Sequence, residues 1–120
     1  MYYLTSALVP LMKTAGGHII NIGSILGKTT SGGKAAYSAT KYAMQGMSEA
    51  LFKELRGNNI KVSLVNPGSI STDFLTESGI QPNEDMLRPE EVADVLIFLL
   101  KTPQNVLIDE LTLRPLNPRR

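Results

Sequence analysis

The sequence predicts an α/β fold, a doubly wound parallel sheet with crossover helices, and three observations point there. Helical and strand-like segments alternate as helix, strand, helix, strand, helix, strand, the order that crossover connections impose on parallel strands. The run HIINIG, 18–23, is β-branched and nearly continuous in apolar residues, which suits a strand buried on both faces. The chain of 120 residues, 42% hydrophobic and 19% charged, suffices for one domain and not for two.

Each element has its own justification. Residues 2–13 read as a helix with Leu4, Ala7, Leu8 and Leu11 on one stripe and Pro10 as a local irregularity. Gly16-Gly17 breaks the chain before the strand HIINIG, and residues 24–33, rich in glycine and hydroxyl side chains, form a loop. A long helix follows over about 34–56, with Ala36, Ala39, Ala43, Met47, Ala50 and Leu51 at the spacing of a buried face, stopped by Gly57-Asn58-Asn59. IKVSLV, 60–65, is the second strand, ended by Asn66-Pro67-Gly68. Residues 69–87 lack periodicity, and connections of that length are commonly functional. Pro89-Glu90-Glu91 opens a third helix to about Lys101, because proline and acids suit a first helical turn. VLIDELTL, 106–113, supplies the third strand.

Composition narrows the function. A net charge of +1 from 12 basic and 11 acidic groups argues against nucleic acid or an anionic membrane as partner. Arg114, Arg119 and Arg120 read as a solvated tail. Without cysteine there is neither a disulfide framework nor a thiolate metal site, and a reducing cytoplasmic location fits. His18 has no second histidine with which to bind metal and reads as a strand-edge residue. The longest apolar runs, such as VLIFLL at 95–100, fall far short of the roughly 20 residues that span a bilayer, and the N-terminus lacks the pattern of a signal peptide.

The chemistry begins in AYSATKYAMQG, 36–46. Tyr37 and Lys41, four residues apart, share one helix face. A cation about 4 Å from a phenol at an effective dielectric near 20 stabilises the anion by roughly 4 kcal/mol, enough to make a tyrosine a working proton donor and acceptor. Chance alone yields about 0.23 such pairs at this composition, so the pair needs support. Ser24 ends the strand HIINIG 13 residues earlier, and Asn66-Pro67-Gly68 ends the next strand. In a parallel sheet these ends share the edge where ligands bind.

On these residues the chain resembles the C-terminal half of a classical short-chain dehydrogenase/reductase: a strand ending at Ser24, then Tyr37-x-x-x-Lys41, then Asn66-Pro67-Gly68 with Thr72 four residues past the glycine. The resemblance implies a partial Rossmann-like fold made of the last three strands, as a single domain over 1–120 whose N-terminal dinucleotide-binding half is absent. It implies Tyr37 as general acid/base, Lys41 as its activator and ribose ligand, and Ser24 as the group that orients the substrate carbonyl. Pro67, Gly68, Ile70 and Thr72 would line the nicotinamide of NAD or NADP, and 69–87 would be the substrate lid. The substrate would be a small-molecule carbonyl or alcohol.

Other family features are not found. No glycine-rich turn follows a strand, since Gly16-Gly17 precedes one and Gly32-Gly33 leads into the catalytic helix. The residue that selects NAD or NADP is missing, and the family's active-site asparagine would fall upstream of Met1. The exposed edge of HIINIG calls for a cover, either a complementary N-terminal half or another copy in a homo-oligomer. Tyr42, Gln45, Glu49 and Phe52 are the candidate contacts for a second copy.

Two rivals have different tests. Gly23-Ser24-Ile25-Leu26-Gly27-Lys28-Thr29 approaches a phosphate loop but has one residue too few between its glycines. A non-catalytic oligomerisation or regulatory module would keep the same side chains and bind no cofactor.

Overall fold

A computed structural model describes residues 1–77, 79 and 81–116, so Arg119 and Arg120 of the expected tail lie outside the described residues. The elements are α1 (Tyr2–Met12), β1 (Gly17–Ile22), α2 (Ala35–Leu55), β2 (Ile60–Pro67), α3 (Asp73–Glu77), α4 (Pro89–Leu100) and β3 (Glu110–Leu113). Short 3₁₀ turns cover Ile25–Gly27 and Arg56–Asn58. The strands form one parallel sheet in the order β1-β2-β3, with Gly17 opposite Ile60 and Leu64 opposite Glu110. The predicted α/β class and the parallel sheet are therefore observed.

β2 is the axis of the fold, buried along its whole length. Alternation sends its side chains to opposite faces. On one face Ile60 and Val62 join Leu55 of α2, with Val9, Met12, Ile19, Leu51 and Phe52 packed around them. On the other, Lys61 and Ser63 bond to the segment that follows α4. The turn between α1 and β1 is tight. Gly16 has a positive φ of 74°, and a Cβ there would stand 2.9 Å from the carbonyl oxygen of Asn59.

Four expectations need correction. The stripe Leu4, Leu8 and Leu11 faces outward, and α1 turns Thr5, Val9 and Met12 inward. On α2 the alanines Ala36, Ala39, Ala43 and Ala50 are exposed, while Ser38, Ser48 and Leu55 are the buried positions. The reason is polar pairing: Asn21 of β1 donates to the Ser48 hydroxyl at 2.8 Å, so a small hydroxyl residue lets α2 sit close to the sheet without an orphaned amide. Gln45 and Phe52 accordingly belong to the inward side, which leaves Tyr42 and Glu49 of that set on the surface. β1, expected to be covered on both faces, is only half-buried at most of its positions because it forms the sheet edge.

The bounds of β3 differ as well: it begins at Glu110 rather than 106. The carbonyls of Val106 and Ile108 are taken by Lys61 Nζ and Ser63 Oγ, so side chains tie this stretch to β2 until Asp109, whose carbonyl accepts from Leu64 N at 2.8 Å. The 24–33 loop contains the 3₁₀ turn Ile25–Gly27, and 69–87 contains α3. Asn59, with φ 57°, supplies the left-handed stop expected after the long helix.

His18 carries a pH-dependent contribution. Ser63 Oγ donates to the Ile108 carbonyl at 2.6 Å, so it accepts from His18 Nε2 at 2.8 Å; Nδ1 is then unprotonated, buried and without a partner among the described residues. Burial, and secondarily the Lys61 charge, holds the imidazole below its ordinary value. The unfolded chain thus binds a proton at about pH 6.5 before the folded one does, and stability falls as pH drops below that. Urea unfolding at pH 7.5 and 5.5 should show a His18-dependent loss of up to about 1.4 kcal/mol. His18→Gln should remove that part of the slope.

Candidate active site

The C-terminal ends of the strands gather the candidate residues. Gly23 N donates to the Val65 carbonyl at 2.7 Å and Gly68 N to the Leu113 carbonyl at 2.8 Å, which carries the strand register into the loops beyond. Ser24 is extended, with φ −167° and ψ 155°, and caps the Ile25–Gly27 turn: its Oγ accepts from Leu26 N at 3.2 Å. A hydroxyl has one proton and two lone pairs, so this bond leaves the proton of the buried Ser24 hydroxyl uncommitted among the described residues. The turn lies flat on α2. A Cβ on Gly27 would stand 2.7 Å from the Lys41 carbonyl oxygen, so glycine is required for this approach.

Tyr37 and Lys41 occupy the first turns of α2. The ammonium of Lys41 lies 5.5 Å from the centroid of the Tyr37 ring and 3.9 Å from Met44 Sδ. The pair is adjacent as the spacing predicts, with the cation over the ring face. Tyr37 is 38% exposed and therefore open to a ligand. Among the described residues no hydrogen bond joins Tyr37 or Lys41 to Ser24; the packing of Gly27 against Lys41 links the two segments.

Pro67 ends β2 inside the sheet, and Gly68 follows it. Ile70 forms a parallel bridge with Leu87, in which Ser71 N donates to the Leu87 carbonyl at 2.8 Å and Leu87 N to the Ser69 carbonyl at 3.0 Å. The flanking residues make the bonds, so the N–H and C=O of Ile70 itself turn to the other side. Thr72 immediately precedes α3, the N-cap position, and its carbonyl accepts from Leu75 N at 3.0 Å. The bridge pinches the 69–87 segment into a closed loop with α3 on it.

Glu110 joins the site without having been singled out in the sequence, although its partner Asn66 belongs to a motif that was. Glu110 Oε1 accepts from Lys28 Nζ at 2.8 Å and Asn66 Nδ2 at 2.8 Å, and its Oε2 accepts from Gln45 Nε2 at 3.1 Å. Asn66 Oδ1 accepts in turn from Ser24 N at 3.1 Å. The signal was an acid and an amide inside strands that otherwise read as apolar. Among the described residues there is no cluster of metal-ligating side chains and no helix long and apolar enough to cross a membrane.

Fold and site together define a parallel α/β chain of the Rossmann-like class. The family model for short chain dehydrogenase matches residues 1–83, and the chain belongs to that family. An uncharacterised oxidoreductase of Staphylococcus aureus is 32% identical over 115 residues, covering 96% of this chain and 49% of its own. Serine dehydrogenase from Escherichia coli superposes with a TM-score of 0.79 at 30% identity, over 93% of this chain and 46% of that one. An alcohol dehydrogenase of Thermococcus sibiricus, solved with 5-hydroxy-NADP, shares the fold with a TM-score of 0.85 at 24% identity, over 99% of this chain and 50% of that one. The chain spans about half the length of the curated relatives it matches.

Proposed function

We propose that this chain is the catalytic half of an NAD(P)-dependent oxidoreductase that interconverts a small-molecule carbonyl and its secondary alcohol, with Tyr37 as general acid/base. The observation that carries this reading is the Lys41 ammonium held against an accessible Tyr37, at the strand edge where Ser24 keeps a free hydroxyl proton. Ser24 donates that hydrogen bond to the substrate oxygen and orients it. During reduction Tyr37 gives its phenolic proton to the same oxygen, and during oxidation it takes the proton back. Lys41 stabilises the phenolate that reduction leaves behind. NAD or NADP, when bound, supplies or accepts the hydride at the carbonyl carbon.

The residues present suit the nicotinamide end of that cofactor. Ile70 has its backbone N–H and C=O turned away from Leu87, which fits a carboxamide, and Thr72, two residues on, offers a hydroxyl. Pro67 and Gly68 line the strand end, and Lys41 stands ready for the ribose. The pyrophosphate end calls for a glycine-rich turn after a strand, which this sequence does not contain. The open edge of β1 and the apolar groove between it and Leu4, Leu8 and Met12 of α1 suit a complementary N-terminal half. The outward alanines of α2 suit a second copy. A titration of NADPH and NADH, followed by nicotinamide fluorescence and thermal shift, tests the reading on the chain alone and with the N-terminal half of a relative added in trans. One cofactor should bind in at least the second case. Binding of neither in both cases overturns the assignment and leaves the non-catalytic oligomerisation or regulatory module.

A further inference from the structure

We propose that Glu110, on the last strand of the sheet, is a positioning residue for Ser24 and acts through the side-chain amide of Asn66. Donors and acceptors decide how the amide sits. A carboxylate only accepts and a backbone N–H only donates. The Asn66 amide sits between one of each, with Nδ2 2.8 Å from Glu110 Oε1 and Oδ1 3.1 Å from Ser24 N. Only one of its two orientations satisfies both neighbours, because a flip would set oxygen against carboxylate and NH₂ against N–H. Glu110 therefore selects the orientation that holds the Ser24 backbone.

The surroundings make the selection strict. Asn66 is 1% exposed, so solvent offers no substitute partner. A Cβ on Gly23 would stand 2.2 Å from Asn66 Oδ1, so the amide fills the space beneath the residue before Ser24. The carboxylate is itself fixed at three points, by Lys28 from the loop after β1, by Gln45 from α2 and by Asn66 from β2. Burial pushes the Glu110 carboxyl up, but the hydrogen bonds from Lys28, Gln45 and Asn66 and the charge of Lys28 outweigh it and hold it below the usual carboxylate range. It is thus an ionised acceptor at neutral pH. Lys28 is the charged group that touches it.

The link from Glu110 to Ser24 stands on hydrogen bonds alone; its importance for turnover rests on the role proposed for Ser24 above. The test is amide hydrogen exchange by NMR on the full chain. Ser24 N is the reporter, and Gly23 N, bonded to the Val65 backbone carbonyl, is the control one residue away. Glu110→Leu should speed Ser24 exchange by about tenfold and leave Gly23 unchanged, the effect of losing one buried hydrogen bond. Glu110→Gln should stay within about threefold of the parent, because the buried Gln45 Oε1, which has no partner among the described residues, can turn to meet the new NH₂. Asn66→Leu should match Glu110→Leu, and the double variant should exchange no faster than Asn66→Leu alone. In the unmutated protein the Asn66 Nδ2 and Ser24 N signals should move together as the pH is lowered past the usual carboxylate range, where Glu110 takes up its proton. Unchanged Ser24 exchange in Glu110→Leu, equal acceleration of Ser24 and Gly23, or independent movement of the two signals would overturn the proposal. A protein that shows the expected exchange but no cofactor binding sinks the catalytic reading and leaves the Glu110 link intact.

Discussion

Tyr37→Phe is expected to lower kcat for carbonyl reduction by roughly 10²–10⁴-fold in the assembled enzyme, the range a positioned acid/base supplies. Phenylalanine keeps the ring that packs under Lys41 Nζ and removes only the oxygen. Among the described residues the Tyr37 hydroxyl makes no hydrogen bond, so the unfolding midpoint should move by less than about 0.5 kcal/mol. Because the proton is transferred only on the way to the transition state, kcat and kcat/KM should fall together while cofactor affinity is kept. The loss of nicotinamide absorbance with a carbonyl substrate measures the rate, and fluorescence titration measures the affinity. A variant that retains turnover within about tenfold of the parent removes Tyr37 from the proton path. A variant that loses cofactor binding as well assigns the residue to binding instead.

The parts of this design that depend on local geometry are legible in the sequence. Tyr37 and Lys41 meet because residues four apart share a helix face, and Asn66-Pro67-Gly68 marks the end of β2 to within two residues, the strand running on to Pro67, because proline brings no N–H to a ladder. What is hidden depends on partners far apart in the chain. Which face of α2 is buried cannot be read from its alanines, which suit either a packed or an exposed position. The choice falls to Ser48, whose hydroxyl is matched by Asn21 from 27 positions away. Similarly, Asn66 reads as a turn residue until Glu110, 44 positions later, is seen to orient its amide. The strand expected over 106–113 fails at its first half for the same reason, since side chains of β2 claim the carbonyls that a ladder would use.

Lys61 is the strongest example of that long-range pairing, and Lys61→Met is expected to destabilise the chain by about 3 kcal/mol. The side chain is 7% exposed, on a strand whose other positions are buried as well. Among the described residues its ammonium meets no carboxylate and is held by other oxygens: Thr102 Oγ1 at 2.7 Å, the Thr102 carbonyl at 3.1 Å, and the Pro103 and Val106 carbonyls at 3.3 Å. Thr102 Oγ1 passes the bond on, donating to the Leu99 carbonyl at 2.7 Å. Lys61 thus places a positive charge at the C-terminus of α4, where the helix dipole is negative and the last carbonyls lack intrahelical partners.

Methionine matches the length of the stem and removes the charge. Relief of ammonium desolvation favours the variant, but the carbonyls that lose a charged donor outweigh it, since each bond to a charged group is worth about 1.5–3 kcal/mol and some of these oxygens can turn to water. Lys61→Arg should recover little, because a planar guanidinium does not fit a site arranged around a compact ammonium. For a chain of this size a loss of about 3 kcal/mol corresponds to a Tm lower by roughly 10 °C, and urea unfolding gives the free energy directly. The charge also contributes, after burial, to the lowered protonation of His18. The stability of Lys61→Met should therefore depend less steeply on pH below about 6.5 than that of the parent. A midpoint within about 0.5 kcal/mol of the parent, with the pH slope unchanged, would show that the ammonium is a bystander to α4 and to His18 alike.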